Sequence, residues 1–485
     1  MLTFIISIIV LILGYSVYGK FMERFFGVND KSVTPAVSKN DGVDFLILPT
    51  WKVFTIEFLN IAGLGPVFGA ILGAMYGPMA YIWIVFGAIF FGAVHDYFSG
   101  MLSLRNGGAS IPEIVGKYLG KGALIILRVF TILLLIFVGV AFVSGPAALL
   151  DHLTDGGMIY WVYGIFAYYL IATLLPINKI IGRIYPIFGA FLLLMAIGIA
   201  GAMIYKGFSG ELILHELQWF DFRNMHHTPG KNFLLPMMFV VISCGAISGF
   251  HSTQAPMMAR CVKKESDGRR VFYGAMIAEG IVAIIWATAA MNFYNGADGL
   301  NDAFLNGTGP AVIVDSISNS WLGRVGGIIA IIGVVVCPIT TGDTAFRSVR
   351  LIIADIFNLP QSKMIKRLLI SIPIFALGFV LSKLEFTTIW KYLGLSNQVL
   401  SMIVLWTIAA YLKSEGKFHW LVSIPAAFMT FICISYLLVA PNVAGGMEIE
   451  YNIGIIIGLV FSVISLLSFE IFYKPAGELQ LSGVE

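Results

Sequence analysis

Three polar clusters interrupt an otherwise strongly apolar chain, and each holds residue types that can move a proton or hold a cation. In Ser248-Gly249-Phe250-His251-Ser252-Thr253-Gln254, an imidazole that exchanges a proton near neutral pH sits among hydroxyl and amide groups. That mixture suits a water-lined cavity better than lipid. His95-Asp96 is the second candidate, as a gate or proton path. An interfacial cap is the alternative, because adjacent helical residues point in different directions and need not pair. The third is Cys337-Pro338-Ile339-Thr340-Thr341-Gly342-Asp343-Thr344. Thr340, Thr341 and Thr344 could ligate a coupling ion and Asp343 could hold a proton; otherwise the stretch is a polar helix end at the surface. Glu57 and Glu279 are placed in the first turns of their helices, where they would face headgroups. Ionisable groups at membrane depth are costly and are therefore functional candidates.

Two further stretches carry glycine where a helix should continue: Ala62-Gly63-Leu64-Gly65-Pro66, and Ser243-Cys244-Gly245-Ala246-Ile247-Ser248-Gly249. Backbone groups freed inside lipid must be satisfied by protein, water or solute. Gly63, Gly65, Ser243 and Gly245 are therefore expected to offer backbone groups to a solute, with His251, Ser252 and Gln254 beside them. Close helix packing through small residues is the competing reading. No catalytic residue is assigned, because the chain has no phosphate loop, HExxH or GxSxG. An intramembrane hydrolase pairing Ser252 with His251 is disfavoured, since neighbours on a helix diverge. Cys244, Cys261, Cys337 and Cys433 form no CxxC, so neither a metal nor a disulfide is expected. The only cofactor expected is a coupling ion, proton or sodium.

The elements that must position these residues follow from hydropathy. The chain has 485 residues, 58% hydrophobic and 12% charged, about half the charge of an ordinary soluble domain. Apolar runs long enough to span a bilayer recur throughout. They predict an all-α integral membrane protein with about 13 helices, near 2–19, 53–75, 78–99, 123–150, 158–177, 184–205, 232–259, 272–294, 324–342, 368–382, 389–411, 419–440 and 452–472. The first run lacks a preceding basic region and reads as a retained helix. No loop is long enough for a second domain, so residues 1–485 read as one transmembrane unit.

Most of the basic residues fall in alternate loops, among them Lys20, Arg24, Arg105, Lys179, Arg260, Arg269, Arg350, Lys413 and Lys474. The intervening loops carry Asp155, Glu211, Glu216, Asp221 and Asp298. The positive-inside rule then places the amino terminus outside and the carboxyl terminus in the cytoplasm. Basic residues confined to short loops do not point to nucleic acid.

The two glycine breaks lie five helices apart, in helices that run in opposite directions. That is the arrangement of carriers built from inverted five-helix repeats, with the solute between the breaks at the midplane. The candidate repeats are 53–205 and 232–411, with 2–19, 419–440 and 452–472 outside them. A channel or sensor-like membrane protein without coupled transport is the alternative function, and an intramembrane enzyme a distant one.

The stretches Ile61-Ala62-Gly63-Leu64-Gly65-Pro66, His95-Asp96-Tyr97-Phe98-Ser99, Ser248 to Gln254 and Thr340-Thr341-Gly342-Asp343-Thr344-Ala345-Phe346-Arg347 resemble the carbon starvation protein A family of bacterial and archaeal transporters. They spread over most of helices 2 to 9; the C-terminal helices match only in general character. The resemblance implies uptake of short peptides or pyruvate coupled to an ion gradient, across the plasma (inner) membrane of a prokaryote. It also implies a fold near the amino-acid/polyamine/organocation superfamily, with a leucine-transporter-like core. In such a core, hydroxyls of the helix carrying Thr340 and Thr341 would join carbonyls of the first broken helix around a sodium ion. The expected partners are a small carboxylate-bearing solute and the lipid bilayer.

Overall fold

The computed structural model describes all residues except 155, 175–180, 213–214, 218–222, 362, 385 and 474–485. The expectations placed on Asp155, Lys179, Asp221 and Lys474 lie outside the described residues. Among the described residues every regular element is helical. Besides the short helices Pro35–Ser38, Ile111–Leu119 and Ala297–Leu305, the helices are α1 (Leu2–Phe26), α2 (Thr50–Ile61), α3 (Gly65–Ala74), α4 (Met79–Arg105), α5 (Lys121–Thr154), α6 (Met158–Leu174) and α7 (Ile181–Phe208). After them come α8 (234–241), α9 (Gly249–Ala259), α10 (Glu265–Phe293) and α11 (Pro310–Ile356). The last four are α12 (Met364–Leu381), α13 (Phe386–Ser414), α14 (Trp420–Val439) and α15 (Tyr451–Phe472).

Among the described residues nine helices are long and apolar enough to cross a membrane, or ten if the bent pair α2 and α3 counts as one span. Each of the 13 expected runs is largely helical over its described residues; those near 158–177, 232–259 and 324–342 appear as the shorter α6, the interrupted α8 and α9, and part of α11. The largest boundary error is in α11. Its backbone leaves helical geometry at Gly323 (φ +64°), so a separate helix begins there and continues past residue 342 to Ile356. The stretch from Thr340 to Arg350 is polar enough to look like a loop. It stays helical because its side chains are buried against other helices.

Burial separates centre from periphery. In α10, 83% of the apolar window is buried, against 28% in α1 and 17% in α15. α10 packs on α1, α2, α3 and α7, whereas Ile456, Leu459 and Val463 of α15 are exposed as a lipid-facing surface would be.

The connections sort into two opposite faces. On one, Arg105 pairs with Glu265 (2.9 Å), Arg269 with Glu23 (2.8 Å), and the Lys417 ammonium donates to the Phe26 carbonyl (2.7 Å). On the other, the amino terminus pairs with Glu216, Asn301 donates to the Met75 carbonyl (3.0 Å), and Phe233 stacks on Tyr451. These are alternate loops in chain order, as the span count requires.

Candidate transport site

The two glycine-rich stretches are the two interruptions. α2 and α3 meet at a 52° bend, where Ala62 leaves helical geometry (ψ +38°) and Pro66 contributes no N–H. Gly63 allows a close crossing there: a Cβ on it would lie 3.2 Å from the Thr341 hydroxyl oxygen. Between α8 and α9 the chain is extended at Ser248 and left-handed at Gly245 (φ +94°), a conformation that favours glycine.

Backbone groups freed at both breaks find partners on neighbouring helices. The Thr341 hydroxyl of α11 is shared between the Leu59 carbonyl of α2 (3.2 Å) and the Cys337 carbonyl of its own helix (3.0 Å). The Trp83 indole of α4 donates to the Ile242 carbonyl (3.1 Å). Asn397 of α13 accepts from the Phe250 N–H (2.7 Å) and lies 3.1 Å from the Ser248 hydroxyl, so one side chain caps α9 from outside. Asn397 and Trp83 were not singled out in the sequence, since a lone Asn or Trp in an apolar run carries no sign of its partner.

A cavity of about 580 Å³ lies between the breaks. Gly65, Ser243, Cys244, Phe142, Phe250 and Asn397 line it, and it reaches the surface beside Lys231 and Glu448. Its size falls within the roughly 300–1,000 Å³ of small-molecule sites, and its wall has the usual mixture of apolar surface with a few polar groups. Of the expected solute-binding residues, Gly65 and Ser243 border the cavity, with Gly63 and Gly245 at the two breaks beside it. Ser252 and Gln254 are buried within α9, the Ser252 hydroxyl donating to the Gly249 carbonyl and the Gln254 amide to the Thr253 hydroxyl.

The threonine motif lies against the first break. Thr340 and Thr344 donate within α11, to the carbonyls of Cys337 and Thr341, while Thr341 reaches across to α2. The Tyr185 hydroxyl of α7 sits 2.7 Å from Asp343 Oδ2 and 3.0 Å from the Thr340 carbonyl. All four motif residues are at most 1% exposed, so the surface helix-end alternative does not hold.

The histidine motifs converge as well. Asp96 accepts from Nδ1 of both His95 (2.8 Å) and His251 (2.9 Å). Adjacent residues that need not pair do so here, because the Asp96 carboxylate lies between two imidazoles. The other nitrogen of His251, Nε2, lies 3.4 Å from Glu279 Oε2 without an aligned hydrogen bond. His95, Asp96, His251, Glu279 and Glu57 are all at most 1% exposed. The interfacial placements of His95-Asp96, Glu57 and Glu279 are thus corrected: α2 begins at Thr50, α4 runs on to Arg105 and α10 begins at Glu265, so these positions lie well inside their helices, on faces buried against other helices.

Away from the cavity mouth, the segment before α2 delivers Asp44 into a cluster of arginines. Its Oδ1 lies 3.4 Å from Arg350 and 3.6 Å from Arg347, and all three side chains are at most 2% exposed. Backbone bonds from Leu46 and Leu48 to the carbonyls of Arg260 and Cys261 hold the segment there. Burial pushes the Asp44 carboxyl up, but Arg350, Arg347, Arg260 and Arg367 together hold it below the usual carboxylate range.

The family model for carbon starvation protein CstA matches residues 1–150, 143–301 and 303–436. An uncharacterized membrane protein of Haemophilus influenzae is 43% identical over 352 residues, covering 63% of this chain and 95% of its own length. The peptide transporter CstA of Bacillus subtilis is 25% identical, with 89% of each chain covered. The pyruvate/proton symporter BtsT of Escherichia coli is 26% identical over 59% of this chain and 48% of its own length. Among solved structures, the fold is similar to MhsT in complex with L-phenylalanine (TM-score 0.53, 14% identity, 84% of this chain and 98% of that one). It is likewise similar to the nucleobase-cation-symport-1 family transporter MHP1 with bromovinylhydantoin bound (TM-score 0.51, 13% identity, 91% and 98%).

Proposed function

The chain belongs to the carbon starvation protein CstA family, and from that premise we propose that it imports a small carboxylate-bearing solute, a short peptide or pyruvate, by symport with a proton or sodium ion. The family and its named relatives are transporters, not enzymes. The observation that carries the reading is the cavity of about 580 Å³ between two broken helices, one of them bonded through Leu59 and Thr341 to the threonine-aspartate motif.

Each part has a role in that cycle. Gly63, Gly65, Ser243 and Gly245 present backbone groups to the solute, and the starts of α3 and α9 bring the positive ends of helix dipoles toward its carboxylate. His251, Ser252 and Gln254 support that wall from α9. Thr340, Thr341, Asp343 and Thr344 form the ion station, where a bound cation would fix α11 against the end of α2. His95 and Asp96 join His251 to the interior. The repeats 53–205 and 232–411 would rock about the site, with the Asp44 and arginine cluster sealing the face opposite the cavity mouth.

The basic residues near the sealed face support placing it in the cytoplasm of a prokaryotic cell, with the amino terminus outside and the carboxyl terminus inside. The fold of the two solved transporters, both determined with small molecules bound, supports a carrier over a channel.

Counterflow in proteoliposomes tests this reading. Vesicles loaded with unlabelled pyruvate or dipeptide should take up the labelled solute transiently and saturably. Non-saturable flux that never overshoots would identify a channel, and no flux of either solute would remove both candidates.

A further inference from the structure

Beneath the cavity, four helices of separate origin bring their ionisable groups into one buried set. α4 supplies His95 and Asp96, α9 supplies His251, α10 supplies Glu279, and α2 supplies Glu57, near enough to Asp96 and His251 to interact with the charges of both. α9 packs on α4 and α2, and α10 packs on α2. The set is connected from His95 Nδ1 to Asp96 Oδ1 (2.8 Å), from Asp96 Oδ2 to His251 Nδ1 (2.9 Å), and from His251 Nε2 to Glu279 Oε2 (3.4 Å).

Its ends are incomplete. Both carboxyl oxygens of Glu57, both of Glu279, and the Nε2 atoms of His95 and His251 lack a hydrogen-bond partner of ordinary geometry. The Gly245 backbone amide lies beside Glu279. Cys244 joins from the break: its sulfur, the Glu279 carboxylate and a His251 nitrogen lie within 4.8 Å of one another. Cys244 also borders the cavity, so the set stands one side chain from the solute space. Of the other helices packed on α9, α13 and α11 offer it the neutral groups Asn397 and Ser348, and Ile111–Leu119 carries Glu113 and Lys117, which are engaged by Arg128 and Asn106. Asp343 of α11 is engaged by Tyr185.

Charge accounting decides what this set can do. Glu57, Asp96 and Glu279 would carry three negative charges if all were ionised, and the two imidazoles supply at most two positive ones. A net buried charge at membrane depth is costly, so the set must hold added protons. Asp96 accepts from an imidazole on each oxygen and is satisfied as a carboxylate. Glu279 is not, and it faces an imidazole nitrogen whose ring is already oriented by Asp96.

We propose that Glu279, acting with His251, carries the proton that drives solute uptake, which deepens the reading of this chain as a coupled carrier and rests on it. In the protonated form, Glu279 holds an O–H and His251 is neutral, its Nδ1–H donated to Asp96. Transfer breaks the Glu279 O–H bond and forms Nε2–H on His251, leaving a carboxylate and an imidazolium. The imidazolium releases that proton when α9 moves and opens the set to water on the far face. This proton site is separate from the ion station at Thr341 and Asp343.

The test uses full-length protein in sodium-free proteoliposomes, with labelled pyruvate and a labelled dipeptide as probes and a trapped pH-sensitive dye. The wild type is expected to accumulate one of them under an inward proton gradient and to move protons with it. Glu279→Gln is expected to lose that accumulation by about 5–150-fold, the ordinary range of coupling between two sites, while counterflow continues and no longer varies with pH. Proton-driven accumulation that survives in Glu279→Gln would overturn the proposal. So would wild-type accumulation that needs sodium and moves no protons, although the carrier reading would stand. Absence of wild-type counterflow would instead overturn the carrier reading. Should Glu279→Gln lose counterflow too, Glu279→Asp decides. Recovery with a displaced pH profile supports the proposal; recovery with the wild-type profile, or none in a correctly assembled protein, assigns Glu279 to packing.

Discussion

Asp44→Asn is the sharpest perturbation of the sealed face. The carboxylate it neutralises lies 3.4 Å from Arg350 and 3.6 Å from Arg347, and neither guanidinium is more than 1% exposed. Arg367, also buried, stands nearby. At these separations each attraction is about 4–5 kcal/mol for an effective dielectric near 20, much of it offset by the cost of desolvating the charges. Removing one partner of a buried ion pair typically costs about 3–5 kcal/mol, because the remaining charge is left uncompensated. The distances exceed those of ideal bidentate pairing, so the lower end applies here.

That cost falls on the closed form of this face and is relieved when the arginines reach water. A shift of about 3 kcal/mol is about 100-fold in the ratio of the two forms. Cys244 is a built-in reporter, since it borders the cavity while Cys261, Cys337 and Cys433 are buried. In Asp44→Asn, an impermeant thiol reagent should label Cys244 more slowly from the cavity-mouth side and faster from the opposite side. Unchanged labelling from both sides would refute the sealing role. The pH dependence has a definite sign. The Asp44 pKa is depressed in the folded protein, so its contribution is present above the ordinary carboxylate pKa and is lost as pH falls through the lower folded value. In the wild type, the ratio of Cys244 labelling from the sealed side to labelling from the cavity-mouth side, which cancels the pH dependence of thiol reactivity, should therefore stay flat from about pH 8 down to about pH 5.

Asp343→Asn should abolish accumulation against a gradient while leaving exchange partly intact; wild-type accumulation would remove Asp343 from the ion station. Thr341→Val should orphan the buried Leu59 carbonyl at a cost of about 1–3 kcal/mol, read as a lower melting temperature and a weaker response to the coupling ion. Asn397→Ala should leave the Phe250 N–H unpaired at similar cost, and an unchanged melting temperature would argue against its capping role. His226, packed on Tyr76 outside the spans, has its pKa lowered to about 4, first by burial and then by His227. The unfolded segment binds a proton first, so local stability should fall between about pH 6.5 and pH 4, seen as faster hydrogen exchange around residues 224–232. Exchange that is independent of pH after correction for the intrinsic rate would contradict this.

Much of this architecture was legible because lipid leaves the backbone few choices. Apolar length gave the helices, and Gly63-Leu64-Gly65-Pro66 and the small residues from Ser243 to Gly249 marked the breaks, since nothing else interrupts a helix so cheaply. The polar clusters were legible as candidates but not as contacts. His95-Asp96 looked like an interfacial pair because sequence cannot show that α9 delivers His251 to the free oxygen of Asp96. Glu57 and Glu279 looked like headgroup anchors because position along a helix does not reveal which face is buried. The run from Thr340 to Arg350 looked like a helix end because hydropathy averages over side chains whose partners, Leu59 and Tyr185, lie far away in sequence. Asp44 gave no signal at all, since one aspartate in a polar loop does not announce the arginines around it.

As a coupled carrier, this chain would concentrate a small carboxylate-bearing solute at the expense of a cation gradient. The measurement that meets this expectation most directly is uptake of labelled pyruvate and of a labelled dipeptide into proteoliposomes, under imposed proton or sodium gradients. The expected result is accumulation of one solute above its external concentration, following one gradient and collapsing when that gradient is dissipated. Uptake that stops at the external concentration under every gradient, or that never exceeds protein-free vesicles, would contradict it.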